Sequence, residues 1–228
     1  MLNLNQFLLV GFPYAALFVA ILVAALRYFH KPFSVSSISS QFLENQQLFW
    51  GSNLWHWGIL GVLLGHLAGF LMPRQVLAWN AQPVRLFILE STGLILALLA
   101  LVGVISLLTR RLTSARARAV TTKMDLALLI LLAFQVATGL DIALRLRWGS
   151  SWFAASAAPY LWSIVTFRPR PEFLLTMPWS VKLHVLSAFT LILLLPFSRL
   201  MHFLVVPLHY YLRTPQLVIW NRRPSAAR

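Results

Sequence analysis

The chain alternates long apolar runs with short polar connections. Five of these runs reach about 20 residues, the length an α-helix needs to cross a hydrocarbon core about 30 Å thick. Hydropathy predicts membrane-spanning helices at 7–27, 51–72, 86–109, 124–146 and 183–206. We therefore interpret residues 1–228 as one all-α membrane domain, in which 207–228 form a polar tail.

The connections between the runs carry further local signals. Thr122 and Asp125 have the spacing of a capping pair and predict where the fourth helix begins. Residues 147–182 contain four prolines and several tryptophans. We expect this stretch to lie on the membrane surface, in a position to cover a site, because tryptophan favours the membrane interface.

Composition supports the membrane interpretation and narrows the chemistry. Of the 228 residues, 59% are hydrophobic and only 11% are charged, against about 25% charged in an average soluble domain. The net charge of +14 is spread over short loops, which indicates membrane topology rather than nucleic-acid binding. The absence of cysteine excludes disulfides, thiolate-bound iron–sulfur clusters and covalently attached c-type haem.

The distribution of lysine and arginine predicts the orientation of the bundle. One side carries twelve of them: Arg27, Lys31, Arg110, Arg111, Arg116, Arg118, Lys123, Arg199, Arg213, Arg222, Arg223 and Arg228. The other side carries seven: Arg74, Arg85, Arg145, Arg147, Arg168, Arg170 and Lys182. The positive-inside rule places the richer side in the cytoplasm, so the N-terminus lies outside and the C-terminus inside.

Four histidines stand inside the apolar runs, where an unsatisfied polar group costs several kcal/mol. His56 and His66 lie in the second run, about 15 Å apart along a helix. His184 and His202 lie in the fifth, about 27 Å apart and on one face if the helix is straight. If the two helices run antiparallel, His56 pairs with His202 at the inner end and His66 pairs with His184 at the outer end.

Two imidazoles facing each other without a thiol or carboxylate are typical of a haem b with two axial histidines. Zinc would require three or four protein ligands. A haem-free scaffold or transporter, with histidines as interhelical hydrogen-bond partners, stays an alternative. His30 and His209 are both interpreted as interfacial; His209 lies on the face of His202 and is its rival as the inner ligand, but His202 is preferred. The two histidines are closer together on the second helix than on the fifth, so both pairs can meet only if a helix bends. We expect that bend at Pro196.

Three motifs resemble one family over essentially the whole chain. They are SNLWHWGILGVLLGH in the second run, RARAVTT before the fourth, and LLPFSRLMH followed by VP in the fifth. This pattern resembles the gamma subunit of membrane-bound respiratory nitrate reductase. The resemblance implies five helices, an outward N-terminus and two haem b groups, the outer on His66 and His184 and the inner on His56 and His202.

The resemblance also implies the direction of electron flow and the partners. Menaquinol or ubiquinol would be oxidised near the outer haem in the cell inner membrane. Electrons would pass inward to an iron–sulfur beta subunit on the cytoplasmic face, and from there to a molybdenum-containing alpha subunit that reduces nitrate in anaerobic respiration and nitrate assimilation. A related cytochrome serving a heterodisulfide or sulfite-type reductase stays open.

The resemblance further suggests a quinol site at Arg85, His66 and Gly65. Arg85 stands where the family carries a lysine, and arginine can donate to a quinone oxygen but cannot accept a proton. Another acceptor is then needed, either water or Glu90, although Glu90 could instead pair with a neighbouring helix. Gly65 would admit a ring or a packed helix. Arg199 is either a partner for a haem propionate or a cytoplasmic anchor.

Overall fold

The computed structural model describes residues 4–30 and 46–203, and the side chains of 4–30 and 50–201. Every described element is helical. Five helices are long and apolar enough to cross a membrane, which confirms the predicted all-α bundle. They are numbered here from first to fifth: Leu4–His30, Gln46–Leu71, Pro83–Thr113, Lys123–Arg145 and Trp179–Phe197, the last being α-helical as far as Leu194.

The second and third helices are in direct backbone contact. A Cβ on Gly58 would lie 2.4 Å from the Ala100 nitrogen, and a Cβ on Gly103 would lie 2.3 Å from the Trp55 nitrogen. Small residues at such crossings let two helices approach closely. This contact holds the helix that carries His56 and His66 against its neighbour.

The fourth helix begins with the predicted capping pair. The Asp125 backbone N–H donates to the Thr122 hydroxyl at 3.2 Å, and the Thr122 N–H donates to the Asp125 carboxylate at 3.0 Å. Two N–H groups that would otherwise lack partners are thereby satisfied. Asp125 also pairs with Nε of Arg199 at 3.2 Å, which ties the start of this helix to the segment after the fifth.

The span predicted at 183–206 begins earlier, at Trp179, and is not one continuous α-helix; residues 204–206 lie outside the described part of the chain. The α-helix ends at Leu194, a 3₁₀ turn follows at Leu195–Phe197, and Ser198 is extended before a second 3₁₀ segment at Arg199–Phe203. Proline cannot donate a backbone hydrogen bond, so the change of geometry occurs at Pro196, where a bend was expected. Arg27 donates to the carbonyl oxygens of Pro196 and Ser198 at 2.6 and 3.2 Å, which satisfies acceptors released by the break.

Residues 149–175, called here the cap segment, form a layer packed against one end of the bundle, and its position at the membrane surface stays a prediction. The segment contains the helices Gly149–Trp152, Ala158–Val165 and Glu172–Leu175 and a π-helix at Phe153–Ala157. The Tyr160 side chain is fully buried, and its hydroxyl donates to the Leu9 carbonyl at 2.8 Å. Burial raises the pKa of the Tyr160 hydroxyl, which keeps it a hydrogen-bond donor.

The cap segment covers the end of the bundle where the first helix begins and the second helix ends. Tyr14 donates to the Ile164 carbonyl at 3.1 Å. Trp162 stacks on Phe70 and donates to its carbonyl at 2.7 Å. The link between the second and third helices contains a helix of its own, Pro73–Asn80, which connects this end to the third helix.

Candidate functional site

The structure brings His66 and His184 together across the bundle. Their ring centroids are 6.4 Å apart, and the ring planes differ by 31°. With metal–imidazole bonds of about 2 Å and about 1.2 Å from each nitrogen to its ring centre, two histidines sharing one metal need centroids roughly 6 Å apart. The spacing of this pair therefore fits an iron with two axial histidines.

The second-helix histidines are oriented by their own backbone. Nδ1 of His66 is 2.8 Å from the Val62 carbonyl oxygen, and Nδ1 of His56 is 2.7 Å from the Ser52 carbonyl oxygen. A carbonyl can only accept, so each Nδ1 carries the proton and each Nε2 keeps its lone pair. This is the tautomer in which Nε2 can bind a metal.

Two side chains of the fourth helix contact His184. The Thr138 hydroxyl donates to a backbone carbonyl of its own helix, that of Phe134 or Gln135, at 3.0 Å. Its oxygen therefore accepts from Nδ1–H of His184, also at 3.0 Å. The Gln135 amide nitrogen donates to Nε2 of His184 at 3.2 Å. The lone pair of this Nε2 is thus held by a single neutral donor, which an iron could replace.

Gln135 is in turn held by Ser187 of the fifth helix. The Ser187 hydroxyl donates to the Gln135 side-chain oxygen, which leaves the amide nitrogen directed at His184. Gly139 completes this side of the site, since a Cβ there would lie 3.0 Å from Cε1 of His184. The fourth helix thus contributes a threonine, a glutamine and a glycine to the setting of one imidazole.

Phe153 of the cap segment packs edge-on against His66, with ring centroids 5.1 Å apart. Gly69 makes room for it, because a Cβ there would meet the Phe153 ring at 2.8 Å. Sequence reasoning missed Phe153, Gln135 and Thr138. The two polar residues, three positions apart in an apolar run, were a usable signal, whereas nothing local marked Phe153.

The ligand set is a pair rather than a cluster. Among the side chains that the structure describes, those of residues 4–30 and 50–201, no three His, Asp or Glu gather in a way that could hold a metal ion. Zinc usually takes three or four protein ligands, whereas haem iron takes two beyond the porphyrin. The donors present at His66 and His184 fit haem.

The inner pair stays a prediction. His56 is exposed on the second helix, while the His202 side chain and all of His209 lie outside the described residues. Arg199, predicted for a haem propionate, contacts Asp125 and also donates to the Val120 carbonyl at 3.4 Å. His30 is exposed at the end of the first helix, and its Nδ1 contacts the Leu26 carbonyl at 3.0 Å.

The quinol-site candidates lie at the end of the bundle that carries His66. The Arg85 guanidinium stands 5.0 Å from the centre of the Trp79 ring, a cation–π contact. Trp79 also lines a cavity of about 230 Å³ together with Met72, Gln75, Val76 and Leu89. No described atom lies within 4 Å of a Cβ placed on Gly65, so this glycine does not mark a close helix crossing between described residues.

Known proteins similar to this chain share its whole length. Residues 5–221 match the family described as nitrate reductase gamma subunit. The chain is 37% identical over 221 residues to the respiratory nitrate reductase 1 gamma chain of Escherichia coli (strain K12), spanning 94% of this chain and 97% of that protein. It is 34% identical over 221 residues to the respiratory nitrate reductase 2 gamma chain of the same organism, with coverages of 94% and 96%.

A more distant organism supplies a similar match. The nitrate reductase gamma chain of Bacillus subtilis (strain 168) is 32% identical over 215 residues, spanning 92% of this chain and 95% of that protein. Together with five helices able to cross a membrane, these full-length matches show that the chain belongs to the nitrate reductase gamma subunit family.

Proposed function

We propose that this chain is the di-haem b, quinol-oxidising membrane subunit of a respiratory nitrate reductase. The observation that carries the proposal is the His66–His184 pair, whose ring centroids are 6.4 Å apart. In both residues an acceptor holds the Nδ1 proton, so Nε2 is unprotonated and free to bind a metal. Family membership supports a membrane subunit of nitrate reductase. Two b-type haems and quinol as the electron donor are the finer parts of the proposal.

His66 and His184 would hold the outer haem, and His56 and His202 the inner one. When bound, each haem supplies an iron that takes up and releases one electron at a time. The protein's part is to fix the imidazoles: the Val62 and Ser52 carbonyls orient His66 and His56, and Thr138 orients His184. For Arg199, the contact with Asp125 favours the anchoring role over a propionate contact.

Quinol would be oxidised at the outer end. Arg85, held over the Trp79 ring, can donate a hydrogen bond to a quinone oxygen. The open space beside Gly65 and the cavity lined by Trp79 would admit the ring and its apolar tail. Whether the quinol is menaquinol or ubiquinol depends on the host membrane.

The charge distribution supports an outward N-terminus and an inward C-terminus in the cytoplasmic membrane, with twelve basic residues on the inner side against seven outside. The iron–sulfur beta subunit and the molybdenum-containing alpha subunit would then dock on the cytoplasmic face. Electrons would leave the bundle at its inner end, near His56 and His202.

Optical spectra of the protein in membranes test this function. Reduction with dithionite is expected to give a b-type spectrum with two haems per chain, and quinol alone should also reduce the haems. Replacing His66 or His184 with leucine should remove the outer haem, whereas replacing His56 should remove the inner one. A colourless protein would support the haem-free scaffold instead.

Co-purification separates the two cytochrome hypotheses. A nitrate reductase subunit should bring with it a large molybdenum protein and an iron–sulfur protein that together reduce nitrate. A di-haem protein isolated with a heterodisulfide or sulfite-type reductase would overturn the assignment of the acceptor while leaving the haem ligands intact.

A further inference from the structure

A part-buried polar cluster lies beside the cavity at the outer end of the bundle. Glu90 of the third helix accepts two hydrogen bonds on Oε1, from the Ser150 backbone N–H at 2.8 Å and from the Ser150 hydroxyl at 2.6 Å. The Asn80 amide nitrogen donates to the hydroxyls of Ser150 and Ser151, each at 2.9 Å. These residues join the third helix, the Pro73–Asn80 helix and the cap segment.

Two polar atoms of the cluster are buried without a hydrogen-bond partner among the described residues. They are Oδ1 of Asn80, a residue only 8% exposed, and Nε1 of Trp152. One is an acceptor and the other a donor, so each needs a partner of its own kind. A water molecule can satisfy either atom, because it both donates and accepts hydrogen bonds.

The cluster has a small space where such a water could lie. A Cβ placed on Gly149 would be 3.5 Å from Oε2 of Glu90 and 3.8 Å from Nε1 of Trp152, so both atoms border the volume that this glycine leaves open. Oε2 is the carboxylate oxygen that Ser150 does not use. Water in this space would accept from Trp152 and donate to the Glu90 carboxylate, with Asn80 as a further acceptor.

Glu90 differs from the other described carboxylates. Asp125 caps the fourth helix and pairs with Arg199, Asp141 pairs with Arg145 at 2.5 Å, and Glu172 is exposed. Glu90 is part-buried and forms no ion pair with any described lysine or arginine. Its sequence neighbour Leu89 lines the cavity beside Trp79, and Trp79 itself precedes Asn80.

We propose that Glu90 and a water held by Asn80 and Trp152 form the proton-accepting site for quinol oxidation. The inference rests on the proposed function and supplies the base that Arg85 cannot be, since a guanidinium does not release its proton. Each quinol loses two electrons and two protons. The electrons leave one at a time toward the His66–His184 site, and each proton passes through the water to Oε2 of Glu90 and then to the outer aqueous phase.

The variant Glu90→Gln in the complete membrane-bound complex tests the proposal. Glutamine keeps an Oε1 acceptor for Ser150 but cannot take up a proton at the pH of the experiment. Stopped-flow spectroscopy should show two haems, normal reduction by dithionite, and haem reduction by quinol slowed on the order of 100-fold, the usual effect of losing a general base. Infrared difference spectra of the wild type during quinol oxidation should show a carboxyl signal that Glu90→Gln lacks.

Two further variants make the outcome specific. Glu172→Gln, the same change at an exposed glutamate of the cap segment, should reduce its haems with quinol as fast as the wild type. Gly149→Ala should slow quinol oxidation without removing a charge, because its methyl group occupies the space assigned to the water.

The results separate this inference from the function on which it rests. Failure of quinol to reduce the wild-type haems would overturn the proposed function. Wild-type reduction together with an equally fast Glu90→Gln variant would overturn the proton site alone. Loss of either haem from Glu90→Gln would also overturn it, since a role in holding the fold would then account for this residue.

Discussion

The two halves of the second helix contrast in what surrounds them. Around His56, atoms of the third helix occupy the space beside the glycines. A Cβ on Gly58 would meet the Ala100 nitrogen at 2.4 Å, and one on Gly61 would meet the Leu96 side chain at 2.6 Å. Around His66, a Cβ on Gly65 would meet nothing within 4 Å, and the neighbouring rings are Phe153 and His184. Similar small-residue spacing thus closes one half and leaves room for a ligand in the other.

The contrast shows that a glycine beside a membrane histidine does not by itself indicate either a close helix crossing or a ligand site. Whether it packs a helix or admits another group depends on which element comes opposite. At Gly58 that element is a continuous α-helix. At Gly65 no described atom comes within 4 Å of an added Cβ, and the rings beside the adjacent His66 come from the cap segment and the fifth helix.

The largest expected effect comes from placing the same side chain in both halves. Gly58→Leu should abolish assembly of the bundle, at a cost of at least about 3 kcal/mol, because the third-helix backbone cannot move away from a new side chain. Gly65→Leu should fold and retain both haems but lose oxidation of quinol. Membrane protein yield, haem content and the rate of haem reduction by quinol distinguish them. Normal yield of Gly58→Leu would contradict the close crossing.

A smaller change on the third helix sharpens the same point. Gly103→Ala should lower the free energy of unfolding by about 1–3 kcal/mol, because its Cβ would lie 2.3 Å from the Trp55 nitrogen. A Cβ on Gly93 of the same helix would have no described atom within 4 Å. Gly93→Ala should therefore be neutral or slightly stabilising, since alanine has a higher helix propensity than glycine. Thermal unfolding in detergent measures both. An equal gain in stability for the two variants would show that helix propensity, rather than packing, decides the effect.

In the half of the second helix around His66, the tautomer of His184 can be tested. Thr138→Val removes the acceptor for Nδ1–H and should weaken retention of the outer haem about tenfold, whereas Thr138→Ser should restore it. Thr190→Val is the matched control, because its hydroxyl donates to the Leu186 carbonyl at 2.8 Å and contacts no histidine among the described residues. Spectroscopic redox titration reports haem content and the midpoint potential of the outer haem. No change in either for Thr138→Val would exclude Thr138 as a positioning residue.

The smallest expected effect concerns the ring that covers His66. Phe153→Leu keeps apolar bulk but loses the edge-to-face contact, worth about 0.5–1.5 kcal/mol. The outer haem should then dissociate at a lower temperature than in the wild type, while the inner haem is unaffected. Phe173→Leu changes a similarly half-buried phenylalanine of the cap segment that has no described ring partner. Equal shifts for both variants would indicate a general loss of packing in the cap segment.

Part of the site followed from the sequence because its signals were local. Two histidines in each of two apolar runs, with the outer members expected to meet, indicated the pair that the structure brings to 6.4 Å. The residues that complete the site did not follow. Thr138 reaches His184 from 46 residues away, and Phe153 packs on His66 from another element altogether.

The fold divides in the same way. The Thr122–Asp125 capping box was predicted correctly, since it depends on residues three positions apart. The third helix begins at Pro83 rather than at 86, because proline is well tolerated in the first turn, where its missing N–H needs no partner. The prolines and tryptophans of the cap segment did not reveal how it packs on the bundle, because that packing depends on contacts between distant residues such as Tyr160 and Leu9.

By itself, the sequence determined that this is an all-α chain with five membrane-length helices and histidines inside two of them. Such features follow from hydropathy over one helix length and need no tertiary contact. Only the tertiary structure decided which glycines lie against another helix, and which side chains orient His184 and surround Glu90. The reason is physical: these properties depend on atoms from separate helices meeting within a few ångströms, and the pattern along one helix does not specify its neighbour.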